Sequence, residues 1–186
     1  MTNDVNYRVP SKLKRAAHDS GPRQVSSIDL VVIHSTEGGT AASVAAMFSL
    51  ESAIASTHLV VDDDECFRMV PDLVIPWGAK GANHDGLHVE LCGWAKWSRE
   101  QWLAREPTLE RAAFKCAKWA WQYKIPRRWL TVEELRAGKH GFTTHVDVNA
   151  AFKQGSHWDP GPGFPGDAFL TLVKKWYADI VDERTK

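Results

Sequence analysis

The chain of 186 residues carries 23 lysines and arginines against 23 aspartates and glutamates, so no net field draws it to nucleic acid or an anionic membrane. Its length and 44% hydrophobic content are enough for one domain with a packed core and too little to expect two. Met1–Asn6 lacks the basic patch and apolar run of a signal peptide, and no segment reaches the apolar length of a membrane span.

Residues 1–27 are polar and interrupted by Pro10 and Pro22, which reads as an extended arm rather than an element. Ile28–Ile33 is a nearly continuous β-branched and apolar run, predicting a strand buried on both faces with His34 at its end. Gly38-Gly39-Thr40 opens an alanine-rich helix over Ala41–Leu50, with Thr40 as its cap. Ser56–Val61 and Cys66–Val70, joined through Asp62-Asp63-Asp64, predict a hairpin. The acidic run lacks the glycine and distal glutamate of a calcium loop, so a solvated turn is expected there. Gly86–Leu91 alternates apolar residues and predicts a strand that carries Glu90.

From Thr108, the residues Leu109, Ala112, Ala113, Cys116, Ala120 and Tyr123 recur at helical spacing until Pro126 closes the segment. Thr131-x-x-Glu134 is a capping box for a short helix that Gly138 ends. A β-like run, Gly141–Thr144, leads into His145. The last helix is expected from about Ala168 to Val181, with Phe169, Leu172, Val173, Trp176 and Ile180 on one stripe. Strands and helices mixed without strict alternation predict an α/β fold: a single domain with a central mixed β-sheet flanked by helices. It should span 28–182, between the arm and a charged tail, 183–186. The odd set of three cysteines, Cys66, Cys92 and Cys116, has no C-x-x-C pair, so they are expected reduced and mostly buried. Of nine tryptophans, Trp119, Trp121 and Trp176 belong to the core, while Trp94, Trp97 and Trp102 are core pegs or a carbohydrate-facing surface.

Zinc hydrolases need three nitrogen or oxygen donors on rigid backbone and one position left for water. His34 at a strand end, His145 after a β-like run, and Asp159 in the proline-stiffened Asp159-Pro160-Gly161-Pro162 loop offer such a set. Spacing alone leaves bland readings open, because a buried histidine is more often a hydrogen-bonded core residue and Asp-Pro-Gly more often a turn. His58 lines a pocket or is buried and structural. Asp147 supports a neighbouring ligand by a hydrogen bond or caps the following turn.

Read in order, Val31-Val32-Ile33-His34, Ala55-Ser56-Thr57-His58-Leu59-Val60-Val61, Trp77-Gly78-Ala79-Lys80-Gly81, Gly86-Leu87-His88-Val89-Glu90-Leu91, Thr144-His145-Val146-Asp147 and Asp159-Pro160-Gly161-Pro162 resemble the motif series of the N-acetylmuramoyl-L-alanine amidase type 2 family. The likeness runs from about Ile28 to Val181. Ala79–Asp85 is similar to phage amidase-lysozymes, and the aspartate loop to the branch with an aspartate rather than a cysteine ligand. The resemblance implies hydrolysis of the amide between N-acetylmuramic acid and the L-alanine of the stem peptide, with one Zn²⁺ per chain on His34, His145 and Asp159.

Glu90 falls where muropeptide amidases carry their catalytic glutamate, implying a general base toward water and a proton donor to the leaving amine. The bland alternative is a strand carboxylate facing solvent. His157 stands two positions before the aspartate ligand, where many active relatives have a lysine. A histidine can donate a hydrogen bond to the developing oxyanion and, when protonated, supply the same charge. Thr57 departs from the tyrosine of some phage enzymes, and His58, Thr57 and Trp77 are implied to meet substrate, with Asp147 supporting a ligand. The implied partner is peptidoglycan, both glycan strand and stem peptide, met by a monomer without nucleic acid or membrane. An endolysin, made in the host cytoplasm and released by a holin, is the expected role. The alternatives are a non-catalytic peptidoglycan-binding module of the same fold and a cytoplasmic muropeptide-recycling amidase.

Overall fold

Strand β2 (Leu30–Ser35) is buried along all six residues, as its unbroken apolar run requires of a strand covered on both faces. The computed structural model describes residues 7, 8 and 10–185. Around β2 lies one mixed sheet of order β1-β4-β3-β5-β2-β6, formed with β1 (Lys12–Leu13), β3 (Leu59–Val61), β4 (Cys66–Arg68), β5 (Gly86–Leu91) and β6 (Gly141–Thr144). β5 and β6 flank β2 in parallel, β3 runs parallel to β5, and β4 returns antiparallel to β3. The expected mixed sheet and hairpin are both present, with the hairpin strands shorter than the apolar runs.

Side-chain alternation sorts the sheet into two faces. Val31, Ile33, Leu87, Val89 and Leu91 pack with α3 (Glu106–Gln122) and α6 (Gly166–Arg184), including Trp119, Phe169 and Trp176. Leu30 and Val32 face the other way, onto α4 (Val132–Arg136) and α5 (His145–Phe152), and α1 (Ala41–Phe48) covers Val60. No helix among the described residues is long and apolar enough to cross a membrane. The three cysteines are free and buried. Trp102 is fully buried and meets Trp97 edge-on, which settles both as core pegs, whereas Trp94 keeps a partly exposed ring.

Several local expectations change. The strand before His145 ends at Thr144, and His145 is the first residue of α5, because the Thr144 hydroxyl accepts the Asp147 amide and starts a helix. A short α2 (Arg99–Leu103) lies outside the expected elements and starts where Ser98 and Gln101 form a complete capping box. Asp62 is no solvated turn residue: its buried carboxylate accepts the amides of Ala41, Asp64 and Glu65.

The arm is tied in as well. β1 extends the sheet along β4, and the buried Arg23 guanidinium donates to the carbonyls of Asp72, Asn83, His84 and Gly86. Burial pulls its pKa down to about 10, with Asp72 opposing. Replacing Arg23 by Met keeps the stem and removes every donor, leaving those carbonyls unpaired. Urea unfolding should then show a loss of about 3 kcal/mol at unchanged slope; an unmoved midpoint would mean that water replaces the guanidinium.

Candidate metal centre and active site

Parallel register brings the chemistry to one edge of the sheet. His34 on β2 lies opposite Glu90 on β5, and Ile33 lies opposite Thr144, so His145 emerges beside His34. The third member, Asp159, sits in the loop between α5 and α6. Its carbonyl accepts the Val146 amide at 3.0 Å, and its peptide bond to Pro160 is cis. Gly161 follows with φ of +81°, and a Cβ there would stand 1.8 Å from the Ala95 carbonyl oxygen. Only glycine fits that contact.

The three side chains are buried and converge. His34 Nδ1 and His145 Nδ1 lie 3.1 Å apart, and they stand 3.2 and 3.1 Å from the Asp159 carboxylate. All three donor atoms fall within 4.8 Å of one another. Burial would raise the Asp159 carboxyl, but the imidazoles of His145 and His34 set against it outweigh burial and hold the group far below the usual carboxylate range. Burial also lowers the His34 pKa, keeping the imidazole neutral. Two imidazole nitrogens and one carboxylate oxygen on rigid backbone are a donor set that fits zinc.

Glu90 does not face solvent. Its Oε1 lies 4.0 Å from His34 Nδ1, and its Oε2 is sealed off without a hydrogen-bond partner. Burial, then the charges of Asp159 and Glu37, push its pKa well above the ordinary value. His157 is exposed at the rim, its ring stacked on His145 at 4.5 Å and its Nδ1 3.7 Å from Asp159. From this rim a groove of about 520 Å³ runs past His145, Asn149, Lys80 and Trp77. Trp77 forms a wall, stacked on His18 at 4.8 Å and bonded through Nε1 to Ser20.

Three expected contacts are corrected. His58 and Thr57 are fully buried, and their polar atoms serve protein partners: His58 Nδ1 accepts the His88 amide, and the Thr57 hydroxyl donates to the His88 carbonyl. Neither side chain reaches the groove. Asp147 accepts the Thr144 hydroxyl at 2.7 Å and belongs to the helix cap, not to a ligand. Conversely, His88 and Glu37 join the site without having been among the expected site residues. His88 contacts His34 at 2.9 Å, and the period-2 pattern that pointed to Glu90 also put His88 on the same face. Glu37 accepts the Ser35 hydroxyl and the Ala95 amide, for which its loop position gave no signal.

A mixed sheet whose parallel strand ends bring His34 and His145 against the loop carboxylate of Asp159, with Glu90 alongside, defines a hydrolase domain with a metal-competent centre. The profile of the N-acetylmuramoyl-L-alanine amidases matches residues 24–162. The chain belongs to that family, whose members are amide hydrolases. No curated protein sequence matches the chain. Among solved structures, the Staphylococcus aureus hydrolase AmiA in complex with its ligand superposes with a TM-score of 0.74 at 16% identity, over 94% of this chain and 88% of that one. A mutant endolysin from Bacillus subtilis gives 0.62 at 16%, over 89% and 99%. An AmpD derivative gives 0.62 at 17%, over 88% and 94%. At these identities the likeness is one of fold.

The sealed carboxyl of Glu90 has a measurable consequence in chelated protein. A folded pKa above the unfolded one means that unfolding releases a proton, so stability is full below about pH 4.5 and is lost as pH rises through the folded value. Glu90→Gln has no such proton to lose. Thermal melts should coincide near pH 4 and separate above it, with Glu90→Gln the more stable; parallel curves across the range would show that the carboxyl is solvated.

Proposed function

We propose that the chain is a zinc-dependent N-acetylmuramoyl-L-alanine amidase that cuts the bond between N-acetylmuramic acid and L-alanine in peptidoglycan. The observation that carries this reading is the convergence of His34, His145 and Asp159 at the head of the groove, with Glu90 opposite His34. A zinc ion held by the three side chains supplies Lewis-acid polarisation and a water acidified from ~15.7 to about 7.

The remaining work falls to the chain's own groups. Glu90, as a carboxylate with one oxygen turned toward His34, takes the proton from the attacking water and, now protonated, hands it to the departing L-alanine nitrogen. His157, exposed at the rim, supports the negative charge that develops on the carbonyl oxygen. Trp77 offers a flat face to the sugar or stem peptide, and Lys80 offers a cation to stem-peptide carboxylates. Tight packing around Asp159 keeps the donors in place without reorganisation.

A lytic role on the wall polymer, as of a phage endolysin released from the host cytoplasm, is favoured over recycling by the phage-like Ala79–Asp85 stretch, where Asn83 accepts the amides of Gly78 and Ala79 and shapes the groove wall. A recycling enzyme would act only on soluble muropeptides.

Purified wild type should bind one zinc per chain, and His145→Ala should lose it. On peptidoglycan the zinc-loaded protein should release L-alanine amino termini while glycan strands stay intact; no release would defeat the enzyme reading. Glu90→Gln should keep its zinc and lose kcat by about 10²–10⁴. His157→Ala should lose about 10²-fold in kcat, and His157→Lys should regain most of it. A His157→Ala enzyme as fast as wild type would remove that residue from the mechanism.

A further inference from the structure

His88 is fully buried on β5, paired with Val32 two register positions before Glu90 pairs with His34. Both of its ring nitrogens are committed. Nε2 lies 3.2 Å from the Ala82 carbonyl oxygen, which can only accept, so Nε2 carries the proton of the neutral ring. Nδ1 is then an acceptor, and it lies 2.9 Å from His34 Nε2. His34 must put its single proton on Nε2, and its Nδ1 lone pair is left facing Asp159 and His145.

The alternative tautomer has a strong rival claim. With the proton on Nδ1, His34 would donate to the Asp159 carboxylate 3.2 Å away, and that ionic hydrogen bond would occupy the lone pair a metal needs. An acceptor of fixed position on the other side of the ring is what opposes it. The surroundings hold that acceptor still. A Cβ at Gly78 would stand 2.5 Å from His88 Nδ1, and one at Gly86 would stand 2.8 Å from Nε2, so glycine at both positions is what admits the ring. Below it, His58 takes the His88 amide and Thr57 binds the His88 carbonyl, each at 3.0 Å.

We propose that His88 is a positioning residue that fixes the tautomer of His34 and so presets the centre for its metal. The inference rests on the zinc reading above. In the full chain, His88→Leu should weaken zinc binding by about 10–100-fold, read by competition with a chromophoric chelator. His88→Asn, which returns a carbonyl acceptor near the Nδ1 position, should recover most of the loss; a merely space-filling role would make Leu at least as good as Asn.

Nitrogen-15 spectra of the metal-free protein give a readout that needs neither zinc nor activity. Wild-type His34 should be protonated at Nε2, and in His88→Leu the proton should move to Nδ1. A wild-type His34 protonated at Nδ1, or a His88→Leu variant with zinc affinity within twofold of wild type, would overturn the proposal. If wild type itself takes up no zinc, the zinc reading fails, while the tautomer measurement still decides the role of His88. Should His88→Leu not fold, the wild-type spectrum decides alone.

Discussion

The parallel register between β2 and β5 is the constraint on which the rest of the site depends. It sets His34 against Glu90 and Val32 against His88, and the matching register of β6 delivers His145 to the same edge. Because side chains alternate along a strand, a slip of one residue would turn His34 away from His88 and Glu90 and into the α3–α6 face. The hydrophobic pattern forbids that slip: Val31, Ile33, Leu87, Val89 and Leu91 all pack on that face. Burial of apolar side chains, at about 1.5–3 kcal/mol each, thus fixes the position of polar ones that contribute nothing to the core.

Asp159 reaches this edge by a different device. No strand carries it, so its position depends on close backbone contacts that only glycine permits. A Cβ at Gly161 or Gly163 would stand 1.8 or 2.0 Å from the carbonyl oxygens of Ala95 or Trp97, which locks the loop against the segment leading to α2. The same segment is held from the other side by Glu37, which takes the Ala95 amide. Two of the three donors are thus placed by sheet register and one by loop packing, and both mechanisms end on atoms within hydrogen-bonding distance of each other.

The readable parts of the sequence were those with a periodic signal. The buried run at β2, the alternation at β5, the stripes of α3 and α6 and the caps at Thr40 and Thr131 all rest on local rules that tertiary packing left standing. Motif order then joined His34, His145 and Asp159 across the chain. Contacts made by residues far apart were not legible. Nothing local distinguishes Arg23 from an exposed arm residue, because the carbonyls that bury it come from Asp72 and from residues 83–86. Nor does any local pattern separate a histidine in a groove from one beneath it: His58 and Trp77 stand in neighbouring motifs, yet one is sealed and the other lines the groove wall.

This difference has a physical reason. A buried guanidinium and stacked imidazoles would be costly in an apolar interior, so each must be committed to a partner. Arg23, His58, His88 and His34 form such a series, with neighbouring polar atoms 2.9–3.0 Å apart, and it runs from the N-terminal segment to the centre. Glu90 breaks the pattern, for its Oε2 is buried and has no partner among the described residues. A carboxyl with one oxygen unpaired can change protonation without breaking a hydrogen bond, while the histidines behind it are held by their partners. The rigid series and the single uncommitted carboxyl therefore serve one end: the donors stay fixed, and only the group that must change protonation is left able to do so.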